Sequence, residues 1–307
     1  MTEDRSIHLR PPQVEDAFVA ALLLNSTQEP HFHTAAATLR KTFEQGPKDY
    51  VVSETEGRVT GLASLWLPDF HPTHGWVGLH LHPDRRVDGT AGALLDHLAS
   101  RALEAGRDKL WISVREDYLP TQPDLGALGF QEAHRTFGGG FYLSRWSASV
   151  PTLESRLRAD GYTVTPAAPF RDDARLRALY ALTRADKVLA PPTIPAASDD
   201  LSDDDALWDA AHLAWQDGEP VGLSLPERSH LHAWNAVLLV HPAHRGRGLA
   251  TALLARTAGQ LQAAGLKFLN VAGSGRDGAY LGVLRRLGAN IEPDWIAYEA
   301  ECAGRSG

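Results

Sequence analysis

The chain has 307 residues, 43% of them hydrophobic and 22% charged, which indicates a folded soluble protein long enough for two domains. Its net charge of −8 disfavours a nucleic acid as partner, because phosphate backbones attract basic surfaces, and suits a cationic amine substrate better. The single cysteine, Cys302, excludes an internal disulfide and a cysteine-rich zinc site. The polar start MTEDRSIHLR and the short apolar runs predict a cytoplasmic protein without a membrane partner.

In chain order, the sequence predicts the same series of elements twice. Each series has a short strand, two helical stretches, a hairpin, a strand that leads into a turn, a helix, a strand, a second helix and two terminal strands. The first series begins with strand 7–10, helices 13–27 and 34–45, hairpin strands 50–55 and 58–67, and strand 75–82. The second begins with strand 162–165, helices 171–186 and 203–211, hairpin strands 212–216 and 220–225, and strand 231–240. This order predicts the α/β class with a mixed sheet.

The turn that opens the long helix is nearly identical in both series. Residues 81–95 read LHPDRRVDGTAGALL, and residues 240–254, which begin 159 positions later, read VHPAHRGRGLATALL. Matching elements in one register indicate an internal duplication. We therefore expect two domains, residues 1–150 and 151–307.

The second copy of this turn has the features of a phosphate-binding site. Its helix begins with backbone N–H groups that lack intrahelical partners, at the positive end of the helix dipole. Gly246 and Gly248 let the backbone approach an anion, and Arg245 and Arg247 add positive charge. The turn lacks the Gly-Lys-Ser/Thr of a Walker loop and the third glycine of a dinucleotide fingerprint, so neither of those nucleotide sites fits.

Residues 240–250 fit the pattern Arg-x-x-Gly-x-Ala after a Val-x-Pro lead-in, and residues 81–91 repeat the pattern after Leu-x-Pro. This pattern resembles the coenzyme A pyrophosphate loop of the GNAT superfamily of N-acetyltransferases. The resemblance implies two tandem GNAT domains, in a layout similar to mycothiol synthase-like proteins, with acetyl-CoA as cosubstrate and its thioester between strands 231–240 and 267–272. It also implies that the strand end binds the pantetheine arm and the loop binds the pyrophosphate, through Leu238, Leu239, Val240, Arg245, Gly246, Arg247, Gly248, Leu249, Ala250 and Thr251.

The two loops differ in ways that affect an anion. The first loop has Val87 in place of Gly246 and Asp88 in place of Arg247. Valine restricts the backbone where it must turn, and a carboxylate repels a pyrophosphate at close range. We therefore expect the acetyl-CoA site in the C-terminal half, with a weaker second site formed by Arg86, Gly89 and Ala91.

Catalytic residues are less well defined by the sequence. Relatives in the superfamily have a tyrosine where this chain has Leu125 and Leu284, so the resemblance supplies no general acid there. Tyr280, one helical turn earlier, is the candidate acid, with a packing role as its alternative. His232 and Glu227 are the candidate bases, with an ordered water chain as their alternative. The closely spaced pairs His230/His232 and His80/His82 lack a third ligand at the spacing of a zinc site, so we expect no metal site.

Two functions follow as hypotheses. The first is an N-acetyltransferase that moves an acetyl group from acetyl-CoA to a small primary amine, with its site in the C-terminal half. The second is a non-catalytic acyl-CoA-binding or scaffolding protein, which the two leucines at the usual tyrosine position favour. Either function is compatible with a monomer or a homodimer, and the sequence does not identify the acceptor.

Overall fold

The computed structural model describes residues 6–147, 150–184 and 205–304. Contacts between residues divide them into two compact units. The first unit comprises residues 6–135 together with 295–304, and the second comprises the described residues from 136 to 294.

Thirteen strands and seven α-helices make up the described structure. The strands are β1 (His8–Arg10), β2 (Tyr50–Thr55), β3 (Arg58–Trp66), β4 (His74–Leu81), β5 (Lys109–Arg115), β6 (Gln131–Tyr142), β7 (Tyr162–Pro166), β8 (His212–Gln216), β9 (Glu219–Ser229), β10 (His232–Val240), β11 (Phe268–Ser274), β12 (Asn290–Ile291) and β13 (Trp295–Glu301). The helices are α1 (Ala17–Asn25), α2 (Ala36–Glu44), α3 (Thr90–Glu104), α4 (Pro151–Ala159), α5 (Ala174–Arg184), α6 (Leu249–Ala263) and α7 (Gly278–Arg286).

The sheet of the first unit has the strand order β1-β2-β3-β4-β5-β13. All neighbouring strands run antiparallel except β4 and β5, which are parallel. Alternate side chains of β2 point to opposite faces, so Val51 packs in the core with α3 whereas Val52 packs with α1 and α2. Two hydrophobic cores therefore hold helices on both faces of one mixed sheet.

The second unit repeats this arrangement. Its strand order is β7-β8-β9-β10-β11-β6, with the short β12 also pairing with β6. Strands β10 and β11 are its parallel pair. Helix α6 buries one apolar face that includes Leu253, Leu254, Ala258 and Leu261. The predicted α/β class with a mixed sheet is confirmed.

The last strand of each half pairs in the sheet of the other unit. Strand β6 follows the first repeat in the chain, yet its residues from Thr136 to Tyr142 pair with β11. Strand β13 ends the second repeat, yet it pairs with β5 along its whole length, from Trp295 to Glu301. The predicted boundary at residue 150 divides the duplicated sequence, and it does not describe this exchange of strands.

Local turn chemistry is as the sequence indicates, whereas two predicted helices are wrong. Glu56–Gly57 and Asp217–Gly218 all have positive φ, which type I′ hairpin turns require. In the first half, the helix predicted after the long helix and the strand that follows it is absent. A short 3-10 segment, Glu116–Thr121, takes its place, because Pro120 removes a backbone donor needed by an α-helix. In the predicted helix 203–211, residues 203 and 204 lie outside the described residues, and the rest contains only the 3-10 turn Trp208–Ala210.

Candidate functional site

In the second unit, the two parallel strands separate after a short paired segment. Strand β10 pairs with β11 only from His232 to Trp234, opposite Phe268 to Asn270. Beyond this point β11 continues beside β6, and β10 continues beside β9. The separation opens a wedge between β10 and β11 in the region where the resemblance places an acyl thioester.

A bulge in β10 coincides with the opening of this wedge. The register against β9 shifts between Trp234 and Val237, so β10 carries one more residue than β9 across this interval. Asn235 lies in the bulge and is only 9% exposed. The pairing of β4 with β3 in the first unit shows no such shift. The bulge therefore places a polar side chain at the wedge of the second unit.

Asn235 connects β10 to helix α7 through Tyr280. Its side-chain amide donates to the Tyr280 hydroxyl oxygen at 3.0 Å, and Tyr280 stands over Gly273 of β11, where a Cβ would lie 3.1 Å from the ring. Burial raises the pKa of Tyr280 to about 12, although the Asn235 hydrogen bond acts in the opposite direction. Because Asn235 donates to the oxygen, the proton of this hydroxyl is free to bond another group. Tyr280 and Asn235 together bridge the wedge.

Helix α7 holds Tyr280 in this position through its own first turn. The Asp277 carboxylate accepts from the Tyr280 backbone N–H at 2.9 Å, which caps the helix. Leu284 is fully buried, and Leu125 is 6% exposed, so the positions where relatives have tyrosine contribute to the cores.

The loop after β10 presents an open helix N-terminus. Gly246 and Gly248 have φ of 76° and 95°, a region that favours glycine. At Gly248 a Cβ would also lie 2.7 Å from Cδ1 of Leu153 in α4, so a larger residue there would have to displace the end of that side chain. No described side chain caps α6, and Arg245 ties the loop to the strand end by donating from Nε to the Val240 carbonyl at 3.1 Å. These features fit a pyrophosphate.

The other loop residues predicted to bind coenzyme A lie around this helix start. Arg247 is exposed, and its guanidinium lies 5.9 Å from the Tyr162 ring centroid. Leu249 and Thr251 are buried, whereas Ala250 is half-buried. Leu238 is half-buried at the strand end, and Leu239 and Val240 are largely buried. A ligand would therefore contact these residues through their backbone.

In the first unit the corresponding helix start is occupied by a side chain of the loop itself. The Asp88 carboxylate accepts from the backbone N–H of Thr90 at 3.1 Å and from its hydroxyl at 2.7 Å, and it pairs with Arg85 at 2.9 Å. Burial raises the pKa of Asp88, but these hydrogen bonds outweigh burial and keep the pKa below its ordinary value. An anion at α3 would therefore have to displace a carboxylate.

The remaining residues of the predicted weaker site lie beside this cap. Arg86 is half-buried and donates from Nη1 to the carbonyl of Pro120 at 3.3 Å. Gly89 has φ of 88°, like Gly248, and Ala91 is buried. Only the left-handed glycine before the helix is common to both loops, because Arg86 is helical where Arg245 is extended and Val87 lacks the positive φ of Gly246.

The two predicted bases lie at different distances from the wedge. His232 is exposed at the first position of β10, within the paired segment, and two residues, about 7 Å along the strand, before Trp234, where the wedge begins. Glu227 lies in β9 opposite Trp234, next to the bulge. The structure therefore brings Asn235 and Tyr280 together, and it places Glu227 beside the bulge, two residues closer to it along the strand than His232.

Comparison with known proteins shows the family of this chain. The profile of the acetyltransferase (GNAT) family matches the chain twice, at residues 17–130 and 176–284. The chain therefore belongs to the GNAT family of acyltransferases, whose members use acyl-CoA, and it carries two domains of that family. A search of curated protein sequences gave no significant match.

Solved structures with TM-scores above 0.5 show the same fold over most of the chain. A GCN5-related N-acetyltransferase from Sphaerobacter thermophilus is 18% identical, with a TM-score of 0.59 and coverage of 96% of both chains. A glucosamine N-acetyltransferase region of a fungal multi-domain GH3 β-N-acetylglucosaminidase is 12% identical, with a TM-score of 0.58, over 97% of this chain and 38% of that one. A tandem GNAT protein from the clavulanic acid biosynthesis pathway is 18% identical over 97% and 99% of the chains, with a TM-score of 0.49.

Two further findings concern the described residues alone. They contain no helix of the length and apolar character needed to cross a membrane. They also contain no group of three or more His, Cys, Asp or Glu side chains placed to hold a metal ion.

Proposed function

We propose that the second unit transfers an acetyl group from acetyl-CoA to the primary amine of a small molecule. The observation that carries this proposal is the difference between the two helix starts. The start of α6 has two glycines with positive φ and no described side-chain cap, whereas Asp88 caps α3. An anionic cosubstrate is thus favoured at the second loop and opposed at the first.

Acetyl-CoA supplies an activated acetyl thioester when it is bound. In our proposal the backbone N–H groups of residues 246–251 hold its pyrophosphate, and Arg245 and Arg247 offset the phosphate charge. The backbone at the end of β10, residues 238–240, which does not pair with β11, binds the pantetheine arm within the wedge. These contacts orient the thioester toward Asn235 and Tyr280, and such positioning supplies much of the rate in acyl transfer.

Tyr280 stabilises the negative charge that develops on the departing sulfur. Its hydroxyl keeps its proton at neutral pH because its pKa is about 12. A thiol has a pKa of about 8.5, so complete transfer of the Tyr280 proton to a thiolate is unfavourable. We therefore assign Tyr280 the role of hydrogen-bond donor to the sulfur, and Asn235 the role of holding the hydroxyl oxygen.

The amine must lose a proton before it attacks, because a primary amine is mostly protonated at neutral pH. Strand β10 contains no carboxylate. Glu227 lies on the neighbouring strand at the level of the bulge, so we assign it, acting through water, in preference to His232. Glu227→Gln should lower turnover and shift its pH profile while His232→Gln should not, and the reverse result would exchange the two assignments.

Calorimetric titration with acetyl-CoA tests the proposed site directly. We expect one site per chain, lost in Arg247→Asp, which places the residue of the first loop in the second without altering a glycine. Gly248→Glu should also abolish binding, whereas Gly89→Glu should leave it intact. Two sites in the wild-type protein, or retained binding in Arg247→Asp with loss in Gly89→Glu, would contradict the assignment.

A non-catalytic acyl-CoA-binding protein is the second candidate, favoured by the buried leucines at positions 125 and 284. An amine screen separates the two functions once binding is established. Turnover with any primary amine supports the enzyme, and binding of acetyl-CoA without turnover of a broad amine set supports the alternative.

A further inference from the structure

The second unit contains a pocket beside helix α6 that the proposed acetyl transfer does not use. Its volume is about 400 Å³, and its walls include Trp146, His212, Arg256, Gly259, Gln260 and Gln262. All of these residues belong to the second unit. Gly259 lies ten residues, about 15 Å along α6, from Leu249 at the helix start, so the pocket is separate from the proposed pyrophosphate site.

A nearly buried histidine presents an acceptor to this pocket. His212, the first residue of β8, is only 8% exposed. Its Nδ1 atom lies 3.1 Å from the Ala210 carbonyl oxygen, which can only accept, so the ring proton is on Nδ1. Burial lowers the pKa of His212, so the ring is neutral at pH 7. The Nε2 atom is therefore a hydrogen-bond acceptor, and no described residue donates to it.

The first unit has apolar side chains in the equivalent place. Thr257 of α6 corresponds to Leu98 of α3, since each lies nine residues after the left-handed glycine before its helix. The matching hairpins likewise place His212 at the position of Val51. Val51 and Leu98 are buried in one core, whereas the Thr257 hydroxyl lies 3.4 Å from His212 Nδ1. The fold therefore does not require a histidine here, and the acceptor is specific to the second unit.

Two hydrogen-bond donors line the same pocket. The indole N–H of Trp146 has no acceptor among the described residues, and its ring packs edge-to-face on Phe141 at a centroid distance of 5.1 Å. The Arg256 guanidinium binds Glu154 through Nε and Nη2, at 2.6 and 2.7 Å, which leaves Nη1 without a partner in the described part of the chain. Because Glu154 offsets the charge of Arg256 and His212 is neutral, these groups have no net charge.

Gln262 and Gly259 keep the pocket formed and open. Gln262 donates to the carbonyls of Leu143 and Trp146 at 2.6 and 3.1 Å, which ties the segment after β6 to α6 and positions the indole. Gly259 leaves the space beside the indole free, since a Cβ added there would meet only Trp146 Nε1, at 4.0 Å. The acceptor and the donors thus surround a space that no side chain from position 259 fills.

We propose that this pocket binds a small neutral polyhydroxylated molecule, such as a monosaccharide, through His212 Nε2, the Trp146 indole N–H and Arg256 Nη1. A hydroxyl group both donates and accepts, so a polyol satisfies the acceptor and the donors together. An anion would face the lone pair of the neutral His212 ring, and a cation would face the Arg256 guanidinium. This binding does not depend on the proposed acetyl transfer.

Neutral sugars and a cyclic polyol, titrated into the full-length protein without acetyl-CoA, provide the test. The indole N–H resonance of Trp146 in a transverse-relaxation-optimised ¹H–¹⁵N spectrum is the reporter, assigned by its loss in Trp146→Phe. We expect a saturable shift with at least one of D-glucose, D-galactose, D-mannose and myo-inositol, and none with acetate or ethylammonium at equal concentration. No saturable shift with any of these polyols, or an equal response to acetate or ethylammonium, would overturn the proposal.

Two variants locate the binding in this pocket. Gly259→Leu fills the space and should abolish the shift while the fold is kept, because leucine favours a helix more than glycine does. His212→Val introduces the residue of the first unit and should weaken binding about tenfold, the size expected for one lost hydrogen bond. Wild-type affinity in either variant would contradict the site.

His232→Val is the matched control. It makes the same substitution at the first position of another strand of this unit, where the side chain is exposed and outside the pocket, so it should bind polyols as the wild type does. An equal loss of affinity in His232→Val and His212→Val would contradict a role of His212 in the pocket. Arg247→Asp should also bind polyols normally, so failure of the acetyl-CoA site and failure of this site are distinguishable.

Discussion

Residues 88 and 247 occupy equivalent positions in the two loops and have opposite effects on an anion. Asp88 satisfies the first turn of α3 with its own carboxylate, and Arg247 leaves the first turn of α6 open. The sequence predicted this difference from charge alone, and the structure adds that Asp88 acts as a helix cap. A single aspartate can therefore stabilise the first unit and at the same time disfavour the binding of an anion at the start of its long helix.

The cap makes the stability of the first unit depend on pH. Hydrogen bonds keep the folded-state pKa of Asp88 below its unfolded value, so its contribution is complete above the unfolded pKa and is lost as pH falls through the folded pKa. Asp88→Asn keeps a cap acceptor and removes the charge, so it should cost about 0.3–1 kcal/mol at pH 7, the size of a charge interaction with a helix N-terminus. The difference from wild type should shrink below pH of about 4.

Urea unfolding at neutral and acidic pH measures this effect. Asp84→Asn is the control, because the Asp84 side chain is 84% exposed in the same loop. A cost of Asp88→Asn that is the same at both pH values would contradict a charge-dependent cap.

Tyr280→Phe isolates the hydroxyl that the wedge presents to the departing sulfur. Since phenylalanine keeps the ring above Gly273, we expect turnover to fall by about 10²-fold, a typical loss for a positioned acid or donor. The KM for acetyl-CoA should change little, because the loop contacts are untouched. Asn235→Ala should lower turnover less, since the hydroxyl remains. Steady-state kinetics with an accepted amine provide the measurement, and unchanged turnover in Tyr280→Phe would exclude the role.

At the scale of elements, helix α4 supports the start of α6. Leu153 lies against Gly248, and Arg156 donates from Nη2 to the Arg247 carbonyl at 3.2 Å. An ion pair at 2.6 Å joins Arg256 of α6 to Glu154 of α4. Helix α4 thus holds the loop whose backbone forms the proposed cosubstrate site.

A double-mutant cycle measures this support. Gly248→Ala should cost about 1–2 kcal/mol for the left-handed backbone, and a smaller additional amount for displacing the end of the half-buried Leu153 side chain. Gly246→Ala should show only the backbone cost, since nothing would lie within 4 Å of a Cβ added at this position. In a Leu153→Ala background the cost of Gly248→Ala should fall toward that of Gly246→Ala. Equal costs in both backgrounds, measured by urea unfolding, would show that α4 does not crowd this position.

Features that depend on local chemistry could be predicted from the sequence, and features that depend on distant pairing could not. The loop glycines and hairpin turns follow from backbone conformation, and the helix predicted between β5 and β6 does not form because Pro120 removes a backbone donor. The sequence does not predict Asn235 as a site residue, because its position depends on a bulge, which arises from the register between β9 and β10. Its only sequence signal is a polar residue in an otherwise apolar strand end.

At the scale of the whole molecule, each compact unit is completed by a strand that follows the other repeat. Sequence repeats identify the copies of a domain, but they carry no information on which copy a terminal strand pairs with. Strand β13 buries Ile296 and Ala300 in the first unit and covers the edge of β5. The stability of the first unit therefore depends on the last residues of the chain.

Truncation after Asp294 tests this dependence. Removing β13 leaves the edge of β5 unpaired and exposes apolar side chains such as Leu110 and Ile112, so we expect the first unit to lose a few kcal/mol, about 1.5–3 for each large side chain exposed. Hydrogen–deuterium exchange should show lost amide protection in β5 and retained protection in α6. A chain that ends at Gly304 keeps β13 and should exchange as the wild type does. Loss of protection confined to the second unit would mean that the last strand stabilises its own repeat.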